Sequence, residues 1–291
     1  MDTSGSGATI PEIRMDPYAP AEMATRVENA GISKATGSFL TLATLGVLAG
    51  AFISLGAQVA TVAGTETGLG YGPTQILVGA AFSVGLILVV IAGAELFTGN
   101  TLIVMAWLEH KVSARLLLRN WSIVYVANFA GALGMVALIY WSRQWELAGH
   151  EVGARALAIA NAKVNLSWGE ALSRGILCNL LVNLAVWLCF SARSNVDKIF
   201  AIVPVIGTFV ASSFEHSIAN MYFIPIGMAI KDEQDVLQAG DLTAQSVENL
   251  TTRGFLIDNL LPVTIGNIIG GAVMVAAVYW LVYLRSPSRG N

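Results

Sequence analysis

Charge-free apolar stretches divide this chain into spans. Residues 35 to 65, 120 to 142, 175 to 192 and 259 to 284 each hold one crossing, since roughly 20 apolar residues traverse a hydrocarbon layer of about 30 Å as a helix. The third reaches that length with its polar lead-in from Trp168. Two regions are too long. Ile76 to Leu108 is 33 residues with a single charge, Glu95, and a straight helix of that length would extend about 50 Å. Ile199 to Ile230 is 32 residues interrupted only by Glu215 and His216, with Pro204 and Pro225 in its two halves. Both read as broken spans. The pattern predicts an all-α integral membrane protein with six transmembrane helices, two of them broken.

Composition supports this: 55% of residues are hydrophobic and 12% charged, with mean hydropathy +0.66, which leaves too little charge for a soluble shell. Six crossings put both termini on one side. With the N-terminus inside, ten basic residues face inward: Arg14, Arg26, Lys34, Lys111, Arg115, Arg119, Arg193, Lys198, Arg285 and Arg289. The outer connections hold Arg143, Arg155, Lys163, Lys231 and Arg253, with Arg174 at a span entrance, and the last of them is acidic. Both termini are therefore expected in the cytoplasm. The chain divides into a cytoplasmic amphipathic segment (1–34), a six-span domain (35–284) and a cytoplasmic tail (285–291). Residues 1 to 34 lack the apolar core of a signal peptide. Pro20 to Ile32 reads as a short surface helix, either a lid or an anchor.

The net charge of −3 comes with no basic run, so no nucleic-acid partner is expected. Cys178 and Cys189 lie in apolar stretches at no metal-binding spacing, so neither disulfide nor metal is implied, and no cofactor is expected. Three histidines, two in or beside loops, offer no paired ligands or nucleophile with its base, which disfavours an enzyme.

The two breaks resemble each other. Glu95 is followed five residues later by Asn100, and Glu215 by Asn220; the next spans carry Asn120, Asn128 and Gly131, then Asn259, Asn267 and Gly270 at identical spacing. Three spans per half turn the second half upside down, a 3+3 inverted repeat of the kind that encloses a midplane pathway. The alternative is that the breaks are tolerated kinks and the asparagines interhelical glue. Irregular backbone at membrane depth survives only when buried in protein or lining a wet cavity, which favours a pore. A neutral-solute channel for water, glycerol or ammonia fits the repeat too, and a membrane scaffold is disfavoured by the breaks.

Five motifs in order, Ala92-Gly-Ala-Glu-Leu-Phe-Thr-Gly99, Arg119-Asn-Trp-Ser-Ile-Val-Tyr125, Gly175-Ile-Leu-Cys-Asn-Leu-Leu-Val182, the run from Phe209 to Met221, and Pro262-Val-Thr-Ile-Gly-Asn267, resemble the formate/nitrite transporter family from Tyr18 to Leu284. The resemblance implies a homopentamer of aquaporin-like protomers in the inner (cytoplasmic) membrane, each with its own pore for a small anion of a weak acid. By position, His216 matches the pore histidine, Thr98 its hydrogen-bonding neighbour and Lys163 the basic residue beside the pore. Glu215 and Asn179 match groups that orient the lysine and the histidine. Leu86, Phe97 and Phe209, with Phe82 and Val182, match apolar constrictions. Asn183 stands where many members have Cys, and either makes the lining more polar or faces a neighbouring helix and does nothing; Arg174 has no assigned role. The run Asn220 to Gly227 resembles formate channels, so formate is the expected substrate, with nitrite and hydrosulfide as alternatives.

An anion entering an apolar constriction loses hydration worth several kcal/mol, and a neutral acid loses far less. Lys163 would attract the anion, and His216, with a reference pKa near 6.5, would supply a proton while Thr98 and Asn179 fix its ring.

Overall fold

The computed structural model describes residues 16–285; Arg14, Arg289, the stretch before Asp16 and the tail after Arg285 lie outside the described residues. Every element among the described residues is helical. Five helices are long and apolar enough to cross a membrane: α2 (Phe39–Ala63), α3 (Tyr71–Gly93), α5 (Ala114–Trp141), α7 (Trp168–Ser191) and α11 (Gly254–Tyr283). Shorter helices complete the fold: α1 (Pro20–Thr36), α4 (Gly99–Leu108), α6 (Glu151–Val164), α8 (Asn195–Ala211), α9 (Ser217–Ile230) and α10 (Gln234–Ala239).

Serines start four of these helices. Ser38, Ser113, Ser167 and Ser194 each accept a hydrogen bond from the backbone N–H three residues on, satisfying a donor that the helix itself leaves unpaired. The α2–α5 and α7–α11 pairs pack backbone to backbone. A Cβ at Gly131 would lie 2.0 Å from Val47 O and one at Gly270 2.2 Å from Ile176 O, so only glycine permits these crossings.

Both long regions are interrupted, and the second not at its prolines: Pro204 and Pro225 sit inside α8 and α9. The first interruption follows a π turn over Leu88–Gly93, where Gly93 takes φ +85°, a conformation that a side chain would strain. The second runs from Ser212 to His216. The α1 segment lies against α4, burying Met23, Ala24 and Val27 beside Ile103 and Ala106. Lys111 pairs with the buried Glu28 at 2.8 Å. Helix α6 is absent from the hydropathy pattern, because its 14 residues are interrupted by Arg155, Asn161 and Lys163.

Candidate functional site

Broken helices leave backbone groups that hydrocarbon cannot satisfy. Here asparagines satisfy them. At the first break, Asn128 Nδ2 donates to the carbonyls of Gly46 and Glu95 (2.8 and 2.9 Å), and its Oδ1 accepts from Phe97 N (2.9 Å). At the second, Asn267 Nδ2 donates to the carbonyls of Gly175 and Glu215 (2.8 and 3.0 Å), and its Oδ1 accepts from Ser217 N (2.9 Å).

The carboxylates are held the same way. Asn100 Nδ2 donates to Glu95 Oε2 (2.7 Å) and Asn120 Oδ1 (2.9 Å), Asn120 Nδ2 donates to Lys34 O (2.9 Å), and Lys34 Nζ lies 2.7 Å from Glu95 Oε1. Asn220 Nδ2 donates to Glu215 Oε2 (2.7 Å) and Asn259 Oδ1 (2.8 Å), Asn259 Nδ2 donates to Lys163 O (2.9 Å), and Lys163 Nζ lies 2.7 Å from Glu215 Oε1. Even the backbone bonds correspond: Glu95 N donates to Leu45 O and Glu215 N to Arg174 O, both at 3.2 Å. Lys34 is thus the counterpart of Lys163, a role invisible from its place among the inward charges. A usable signal exists, since Lys34 precedes Gly46 by the same interval as Lys163 precedes Gly175.

Each cluster borders a cavity, and the two cavities share no lining residue. The first, about 400 Å³, is lined by Lys34, Glu95, Leu86 and Arg26 among others. The second, about 240 Å³, is lined by Lys163, Glu215, His216, Phe82 and Phe209, with Arg155 and Arg174. Leu86, Phe97, Phe209, Phe82 and Val182 are all buried in one apolar cluster. Phe82 meets Phe209 edge to face at 5.5 Å, and Phe97 meets Tyr125 at 4.8 Å. Phe97 and Val182 line neither cavity.

His216 joins the two halves. Its Nε2 lies 2.9 Å from Thr98 Oγ1, both side chains being buried, and its Nδ1 accepts the Ala219 N–H at 3.1 Å, capping α9. With Nδ1 occupied as an acceptor, the ring hydrogen sits on Nε2 and is donated to Thr98. Asn179 makes no hydrogen bond to the ring. Its Nδ2 donates to Asn267 O (2.6 Å) and more weakly to Thr98 O (3.3 Å), so it acts on the threonine. Asn183, buried and lining neither cavity, donates to Thr98 O (3.0 Å) and accepts from Thr101 Oγ1 (3.1 Å). It faces the neighbouring break and helps hold Thr98, so it neither lines a cavity nor stands idle.

Apolar spans, two interrupted helices and a buried polar junction between two basic vestibules define a multi-pass membrane transport protein. Residues 21–281 match the formate/nitrite transporter family, and the chain belongs to it. It is 43% identical over 273 residues to the formate channel FocA of Escherichia coli K12, covering 93% of this chain and 96% of that one. The formate channel FocA of Haemophilus influenzae is 38% identical over 259 residues, covering 88% and 91%. Among solved structures, a pentameric formate channel with formate bound superposes with a TM-score of 0.79 at 39% identity, covering 85% of this chain and 98% of that one.

Proposed function

We propose that the protein is a homopentameric formate channel of the inner membrane, in which passage is linked to a proton through His216. The observation that carries the proton link is the buried His216–Thr98 hydrogen bond, placed where the Lys163 cavity ends in apolar side chains. The named relatives, formate channels throughout, support formate over nitrite or hydrosulfide, and the pentameric relative supports the assembly.

In this reading α8 and α9 together make a sixth crossing, and residues 35–284 form one domain whose halves are an inverted repeat. Bond-for-bond likeness of the two asparagine clusters supports the repeat. The inward excess of Lys and Arg puts both termini in the cytoplasm.

Formate enters the Lys163 cavity as an anion and meets the Phe82–Phe209 pair, where losing its hydration costs several kcal/mol. Protonating His216 at Nδ1, with a proton from water in the Lys163 cavity, gives up the Ala219 cap, about 1 kcal/mol, and buries a charge that the arriving formate anion offsets. The imidazolium passes its Nε2 proton to the formate oxygen that displaces Thr98, leaving neutral formic acid and a neutral ring in the Nδ1–H tautomer; uptake of a proton at Nε2 and loss of the one on Nδ1 then restore the starting ring and its Ala219 cap. Leu86, Phe97 and Val182 then form the apolar seal on the way to the Lys34 cavity, where the proton returns to water.

Uptake into proteoliposomes of formate, nitrite and hydrosulfide at two pH values tests this. Formate should enter with a proton, and His216→Phe and His216→Asn should lose that coupling while the pentamer still assembles. Unchanged pH-dependent uptake in either variant refutes the role of His216. Flux of neutral solute without acid or anion movement would make the protein a neutral-solute channel instead.

A further inference from the structure

A lysine 2.7 Å from a carboxylate forms a dipole whose field falls off steeply, and that is how Lys34 and Lys163 are both held. The long-range attraction that an incoming anion meets must come from other cations on the vestibule walls. The Lys34 cavity also carries Arg26 and Lys198, and the Lys163 cavity Arg155 and Arg174, so each vestibule sets three cations against one carboxylate.

Two of these four are counterparts. Arg26 precedes Lys34 by eight residues on α1, and Arg155 precedes Lys163 by eight residues on α6. Arg174, by contrast, corresponds to the uncharged Leu45, whose carbonyl accepts the matching backbone bond. Among the described residues neither Arg26 nor Arg155 is in an ion pair. Arg155 Nε is buried with no hydrogen-bond partner, and the Arg26 guanidinium rests on the Tyr18 ring, 3.8 Å from its centroid.

Building on the small-anion reading above, we infer that Arg26 and Arg155 are the anion-capture residues of the two vestibules. Each presents a positive charge that no carboxylate among the described residues neutralises, before the anion reaches the Lys–Glu pair. The lysines then act at short range, tied to their breaks, and the arginines supply the attraction. The same guanidinium would disfavour a cation at either mouth.

A passive pathway has equal low-concentration permeability in both directions, so the informative readouts are permeability and its salt dependence. In proteoliposomes, Arg26→Gln and Arg155→Gln should each lower formate permeability at low ionic strength by roughly three- to tenfold. The decline of wild-type permeability with added salt should flatten in both and flatten further in the double variant. Arg26→Lys and Arg155→Lys should keep most of the permeability and the slope. Arg253→Gln, which removes an exposed charge outside the cavity, should leave both at wild-type values. Three results overturn the inference alone: Gln variants with wild-type permeability and salt slope, Lys variants as impaired as the Gln variants, or a wild-type permeability indifferent to salt. The last needs no variant to fold. Wild-type protein that moves no formate overturns the proposed function together with this inference.

Discussion

Replacing Lys163 by Met removes the cation from a carboxylate that is almost sealed from water. The Glu215 side chain is 4% exposed and that of Lys163 14%, and without the lysine the carboxylate keeps only Asn220 (2.7 Å) and Asn259 (3.2 Å) as side-chain donors. Stranding a buried charge costs about 3–5 kcal/mol. The counterpart pair is wetter: the Lys34 side chain is 33% exposed and that of Glu95 10%, so after Lys34→Met water can reach the carboxylate, and the cost is about 1–2 kcal/mol. At roughly 2–4 °C per kcal/mol for a large domain, Lys163→Met should lower the unfolding midpoint of the detergent-solubilised protein by roughly 6–20 °C, and Lys34→Met by a few degrees. The double variant Lys163→Met/Glu215→Met removes both charges and should regain most of the lost stability. Scanning unfolding of the four proteins at one heating rate reads all of this. Equal losses for Lys34→Met and Lys163→Met, or a double variant no better than the single, would refute the argument from burial.

Phe209→Ala removes the edge-to-face contact with Phe82 and opens the end of the Lys163 cavity, so chloride or lactate should enter proteoliposomes; background permeability in a folded variant excludes Phe209 from the selectivity barrier. Gly271→Ala would place a Cβ 2.1 Å from Thr101 Oγ1 and 2.5 Å from the amide nitrogens of Asn179 and Asn183, which together hold the Thr98 carbonyl. Overpacking there should cost about 1–3 kcal/mol and, by moving Thr98 off His216, change the pH profile of formate flux; a wild-type profile would show that the cluster does not position Thr98. Deleting residues 1 to 28 removes Arg26 and the Glu28–Lys111 pair and should alter the pH dependence of flux without altering selectivity over nitrite. Identical profiles would leave α1 as an anchor only.

Hydropathy located the spans because a membrane filters residues by charge, and the two breaks announced themselves as Glu95 and Glu215 inside runs too long to cross once. The asparagine pattern after each break was readable as spacing. Its meaning was not, since which carbonyl Asn128 or Asn267 reaches depends on how α2 and α7 pack beside the breaks. Helix α6 escaped notice because its 14 residues are too few to cross a bilayer and are interrupted by Arg155, Asn161 and Lys163, and a long charge-free run is the wrong template for such a helix. Asn179 was assigned to the imidazole by resemblance, yet its amide reaches the Thr98 carbonyl, a distinction that only coordinates draw. The partnership of Lys34 with Glu95 spans 61 residues and was hidden for the same reason.

The two asparagine clusters also bear on how the protein is made. Every residue that satisfies the first break through its cluster, from Lys34 to Asn128, precedes every residue that satisfies the second, from Lys163 to Asn267. As the chain leaves the ribosome, the first half can thus pair its glutamate and its cluster-held carbonyls inside the bilayer before the second half has been synthesised. The His216–Thr98 bond, which reaches across 118 residues, closes only when the finished halves dock. The asparagine clusters thus need nothing from the other half, whereas the Thr98 carbonyl, held also by Asn179 and Asn183, waits for the second, and a half on its own carries no completed passage between the two faces of the membrane.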